Sequence, residues 1–163
     1  MKRIVMLATA HEYQRDGHGL NNELAERLEY LLHKFSLQII LEEWSDQQTP
    51  SFANRFAQRR AAYSNVGTPD ERQYQTYRFG VISHPAHDGT LPTDPCAPLM
   101  QEYGPYPQQE NREEQMAENV CSAMREFESG LFLMGLAHLH SLFGKLRARN
   151  FAVTAYIWFK LLQ

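Results

Sequence analysis

Two histidines occupy equivalent places in the sequence. His11 closes Ala8-Thr9-Ala10-His11, directly after the apolar run Arg3–Ala8. His138 closes Gly135-Leu136-Ala137-His138, directly after Leu131–Met134. In each case a buried run ends, a small residue follows, and an imidazole comes three positions later. A third apolar run, Leu37–Glu43, ends abruptly in the carboxylates Glu42 and Glu43. A lone histidine at a strand end serves packing as readily as chemistry, and two acids after a buried strand can be the solvated start of a loop. Two imidazoles and an acid brought to one edge can do more. A histidine oriented by a carboxylate is a general base, and two imidazoles with a carboxylate can hold a divalent metal that activates water. Arg112, which could stabilise developing negative charge, belongs to the same constellation, with Glu12, Glu42 and Glu113 as candidate substrate-binding residues and His140 beside them.

The elements that must position these groups follow from periodicity. Leu131–Met134 is a short continuous apolar segment, the pattern of a strand buried on both faces. Leu139, Leu142, Phe143 and Leu146 then mark one face of a helix, so His138 stands between a strand and a helix. In open α/β sheets that edge is where ligands bind. A helix that starts at about Leu139 turns His140 away from His138. Strand 1 spans about residues 3–9. A polar loop over His11–Gly19 leads to a helix capped by Asn21 or Asn22, with Leu20, Leu24, Leu28, Leu31 and Phe35 as its stripe. Thr49-Pro50 predicts the cap and first residue of a helix running to about Ser64. Asn111 with Glu114 forms a variant capping box for a helix to about Glu128. Because that helix feeds the strand at 130–137, its start, with Arg112 and Glu113, lies level with the strand's C-terminal end. Asn150 suits a left-handed helix cap, and Phe151–Phe159 predicts the last strand.

Between Val66 and Gln109 regular patterning stops, apart from a candidate strand at Tyr77–Ser83. Seven of the eight prolines fall here, at 69, 85, 92, 95, 98, 105 and 107. A segment this long reads as a lid, a binding loop or an oligomer arm. Tyr103 and Tyr106 are its candidate substrate-binding residues, and it leaves a homodimer open. The expected architecture is a three-layer α/β domain over residues 1–163. Its mainly parallel sheet has four or five strands flanked by helices, with the Pro-rich insertion at 66–109.

Composition narrows the classes. The chain has 163 residues, 43% of them hydrophobic, enough for one domain with a real core. A net charge of −3 does not favour nucleic acid as a partner. No apolar segment reaches membrane-spanning length, and Met1-Lys2-Arg3 precedes a run too short for a secretory signal. Cys96 and Cys121 suggest neither a metal pair nor a disulfide framework, so a cytoplasmic location is expected. The sequence has no P-loop, no Gly-x-Gly-x-x-Gly and no Gly-x-Ser-x-Gly elbow.

A strand ending Thr9-Ala10-His11, a strand ending in Glu, the helix start Asn111-Arg112-x-x-x-Met116 and the late Gly135-x-x-His138 together resemble the Tiki/TraB superfamily. That group includes the ChaN-like and erythromycin-esterase-like proteins. The resemblance covers four points of the chain and none of residues 45–109. Ala8 stands where the family's first motif has Gly, and the chain is short for the family. It implies His11 and His138 as the paired histidines, Glu43 as the strand-end acid and Arg112 as the helix-start arginine. It implies hydrolysis of an ester or amide bond in a small molecule or peptide, with or without one divalent metal held by His11, Glu43 and His138. The alternative is a non-catalytic binding protein that retains the pocket.

Overall fold

A computed structural model describes residues 1–44, 50–68, 88–90 and 109–158. Val5, Leu7, Leu131 and Leu133 cover one face of the central strands, and Ile4, Met6, Phe132 and Met134 the other. Strands that are apolar on both faces must be covered on both, and helices cover them. The elements in chain order are β1 (Arg3–Thr9), α1 (Asn21–Phe35), β2 (Ile39–Glu42), α2 (Phe52–Ala57), β3 (Ala62–Asn65) and β4 (Asp88–Thr90). They continue with α3 (Gln109–Ala123), β5 (Ser129–Gly135), α4 (Leu139–Ala148) and β6 (Ala152–Trp158). The sheet order is β3-β2-β5-β1-β6-β4. The first five are parallel, and β4 adds an antiparallel edge against β6.

Helices α1 and α2 pack on one face through Leu24, Leu28, Phe52 and Phe56. Helices α3 and α4 pack on the other through Met116, Val120, Leu142 and Leu146. The result is the three-layer α/β architecture that periodicity predicts. Central strands β1 and β5 lie in register from Arg3 beside Ser129 to Thr9 beside Gly135. Both histidine segments therefore leave the sheet at the same edge. On β2, Glu42 is level with Leu133, and the ladder runs one residue further through Glu43 N–H to Leu133 C=O at 2.9 Å.

Three local expectations are corrected. The second helix does not run to Ser64. It starts after Ser51, whose Oγ accepts from Asn54 N–H at 3.2 Å, and ends at Ala57. Arg59 then takes φ 68°, and the chain turns into β3. Asn22 does not cap α1, whose N-cap is Leu20, and neither does Asn21. Its Oδ1 accepts from Gly17 N–H at 2.8 Å, and its Nδ2 donates to the carbonyls of Tyr13 and Arg15, so it braces the preceding loop. Helix α3 begins at Gln109, which puts Asn111 and Glu114 inside it rather than at a capping box. Asn150 does take the left-handed conformation expected of it, at φ 65°. Most of the 66–109 insertion, including Tyr77–Ser83, lies outside the described residues. No helix among the described residues is long and apolar enough to cross a membrane.

Candidate active site

Strand alternation sends the side chains of Glu42 and Glu43 to opposite faces of the sheet. Glu43 faces the α3/α4 layer, where it is fully buried between both histidines. His138 Nε2 is 3.2 Å from its Oε1, and His11 Nε2 is 3.4 Å from its Oε2. The Gly135 N–H donates to the same Oε2 at 3.0 Å. His138 turns its other nitrogen, Nδ1, to Glu113 Oε1 at 2.8 Å, one turn into α3. The antiparallel run of α3 against β5 thus brings Glu113 to the strand's C-terminal end.

Gly135 explains why the motif has no side chain at this position. A Cβ there would lie 2.9 Å from His11 Cδ2 and closer still to Nε2. The His11 ring rests directly on this backbone. Gly67 makes a second close approach, since a Cβ there would lie 2.8 Å from Trp44 N and 3.3 Å from Glu43 Cα. Asn65 braces the same crossing, accepting from Trp44 and Gly67 N–H and donating to Trp44 C=O. Thr68 follows and accepts from Arg112 Nε at 2.9 Å. Arg112 is buried and reaches this edge through the segment that crosses Glu43.

The charges of this cluster determine one another. Burial pushes the Glu43 carboxyl up, but the facing His138 and His11 outweigh it and hold Glu43 well below the usual carboxylate range. Burial pulls His138 down, but the Glu43 charge and the Glu113 hydrogen bond outweigh it and raise the imidazole to about 9. At neutral pH the buried core of the site is an imidazolium between two carboxyl groups. The His11 side chain is the one of the three with exposed surface, at 10%.

Glu42 faces the α1/α2 layer instead and is enclosed by protein donors. Gln14 Nε2 donates to its Oε1 at 2.9 Å, Tyr63 OH donates to its Oε2 at 2.6 Å, and Ser51 Oγ donates to the same oxygen. Burial dominates these hydrogen bonds and raises the Glu42 carboxyl. Burial and the Glu42 charge raise the Tyr63 phenol as well. Two neighbouring glutamates thus have their ionisation pushed in opposite directions.

The structure therefore brings His11, Glu43 and His138 together and brings Arg112 to the same edge. Glu113, expected to face substrate, is occupied by His138 Nδ1. Glu42 is directed away from the histidines, and Glu12 is exposed. His140 lies on α4, which begins at Leu139. Tyr103 and Tyr106 lie outside the described residues. Metal binding by His11, Glu43 and His138 finds no support among the described residues. Among the described residues no group of three or more His, Cys, Asp or Glu side chains is arranged to hold a metal ion.

Sequence reasoning missed Gln14, Ser51, Tyr63 and Thr68. Ser51 carries a legible signal, a serine just before an apolar helix start, which the neighbouring Thr49-Pro50 obscured. Gln14 and Tyr63 carry none, because their partner comes from a distant strand. No family model, curated protein or solved structure matches this chain.

Proposed function

We propose that the His11–Glu43–His138 cluster hydrolyses an ester or amide bond of a small-molecule or peptide substrate, without a metal. The observation that carries this reading is one fully buried carboxylate facing two imidazoles, one of them at the solvent edge. In this mechanism His11 directs an Nε2–H to Glu43 and uses the lone pair of Nδ1 as the base. That nitrogen takes a proton from water as the water oxygen adds to the substrate carbonyl, then returns it to the leaving alkoxide or amine. Glu43 stabilises the imidazolium formed in between. The imidazolium of His138 and the guanidinium of Arg112 favour the negative charge that develops on the carbonyl oxygen. On this reading the motif resemblance to the Tiki/TraB superfamily reflects shared chemistry.

A panel of p-nitrophenyl esters and p-nitroanilide amides tests the proposal. Turnover should fall about 10²–10⁴-fold in His11→Ala and Glu43→Gln and persist in chelator. Turnover no faster than that of His11→Ala across the panel would overturn it, and chelator-sensitive turnover would overturn the metal-free mechanism. The complete burial of Glu43 and His138 favours a second reading, a binding protein that closes on its ligand without reaction. Saturable binding of panel compounds without turnover would establish that reading instead.

A further inference from the structure

The geometry points to Gln14 as the positioning residue of the His11–Glu43 pair, anchored through Glu42 on the opposite face of the sheet. His11 and Gln14 are the two ends of one short 3-10 turn, His11–Gln14. The turn is fixed by Tyr13 N–H to Ala10 C=O at 3.0 Å and Arg15 N–H to Glu12 C=O at 3.3 Å. From its far end Gln14, fully buried, donates through Nε2 to Glu42 Oε1 at 2.9 Å and to the Glu43 backbone carbonyl at 3.1 Å. Both partners are acceptors, so only the NH₂ end of the amide can face them, and its orientation is forced.

One side chain therefore ties the turn that carries His11 to the backbone that carries Glu43. The anchor is itself held. Glu42 Oε2 accepts from Ser51 at the start of α2 and from Tyr63 on β3, so its carboxyl is fixed from two further elements. The contact this arrangement sets is His11 Nε2 to Glu43 Oε2 at 3.4 Å, long for a hydrogen bond. At that separation small shifts of the turn decide whether the bond exists. Gln14 spends its Nε2 on Glu42 and Glu43, so it acts on His11 through the residues it spaces. The consequence for turnover rests on the hydrolase reading, whereas the spacing of the pair does not.

The experiment reads the His11 ring directly, by ¹⁵N NMR of the imidazole in the full-length protein at one fixed pH. Glu43→Gln supplies the shift of a His11 that has lost its carboxylate. In Gln14→Leu the His11 Nε2 resonance should move most of the way to that reference, while His138 keeps its own shift. Combining Gln14→Leu with Glu43→Gln should move His11 no further, because Gln14 acts through Glu43. Tyr63→Phe, which removes one donor from the anchor at a partly exposed position, should move His11 in the same direction and serves if Gln14→Leu fails to fold. With an active substrate, Gln14→Leu should lower kcat about 10–100-fold and leave KM nearly unchanged. An unmoved His11 resonance in Gln14→Leu and Tyr63→Phe would overturn the proposal, as would additivity in the double variant. A moved resonance in a protein without turnover would retain it and remove only the hydrolase reading.

Discussion

His138 is a cation because of what surrounds it. Taken alone, a fully buried imidazole is neutral at pH 7, since burial disfavours charge. Glu43 and Glu113 reverse that, one at each ring nitrogen. Glu113→Gln removes one of the two charges and keeps the shape, so the His138 imidazole should titrate well below its present value of about 9. Imidazole ¹⁵N shifts followed over pH would show this, and an unchanged titration would mean that Glu43 alone holds the proton. Gly135 gives a second prediction at this scale. Its φ of −69° suits any residue, so Gly135→Ala introduces no backbone strain and only drives a methyl group into the His11 ring. The variant should lose hydrolysis as fully as His11→Ala. Overpacking of this kind costs about 1–3 kcal/mol, so the fold should survive. Circular dichroism alongside turnover separates the two effects.

At the scale of elements, the sequence makes the sheet legible wherever apolar runs are continuous. β1 and β5 are buried against helices on both sides, and their composition alone announces them, as the apolar run of the half-buried β6 announces it. The site edge is legible for the same reason, because parallel strands put their ends together and both His motifs follow strand ends. β3 is not legible. Ala62–Asn65 has no apolar run and lies at the sheet edge, where one ladder partner suffices. The helical pattern before it runs on through Arg59, and nothing in residue type marks the turn there. Arg59 holds φ 68°, a conformation unfavourable by about 1–2 kcal/mol for a side-chain-bearing residue. Arg59→Gly relieves this at the expense of a more flexible unfolded chain, for a net gain of about 0.5–1 kcal/mol. A higher urea midpoint is the expected result, and a lower one would show that the Arg59 side chain contributes more than the backbone strain it imposes. The Glu42 network stayed hidden for a different reason. Its members, Gln14, Glu42, Ser51 and Tyr63, meet only after β3, β2, β5 and β1 have been ordered in one sheet.

For the whole molecule the same charges set the pH range of stability. Glu43 is held below its ordinary value of 4.5, so its contribution is complete above 4.5 and is lost as pH falls through its folded value. His138 is raised from 6.5 to about 9, so its contribution is complete below 6.5 and is lost as pH rises through about 9. Both are complete together only between 4.5 and 6.5. Glu42 is raised, so its contribution is present below 4.5 and is lost as pH rises through its folded value, which draws the optimum toward the acid side. Urea unfolding across pH should give its highest midpoint on the acid side of neutral and a decline towards pH 9. A midpoint that rose from 6.5 to 9 would mean that the buried His138 cation does not stabilise the fold. The divergence of Glu42 and Glu43 has a consequence of another kind. A strand shifted by one residue exchanges its two faces, so a misaligned β2 would present Glu43 to Gln14, Ser51 and Tyr63 and put Trp44 among the imidazoles. A shift the other way would seat Glu42 among the imidazoles and put Leu41 against Gln14, Ser51 and Tyr63, so only the correctly threaded chain supplies a carboxylate to both faces.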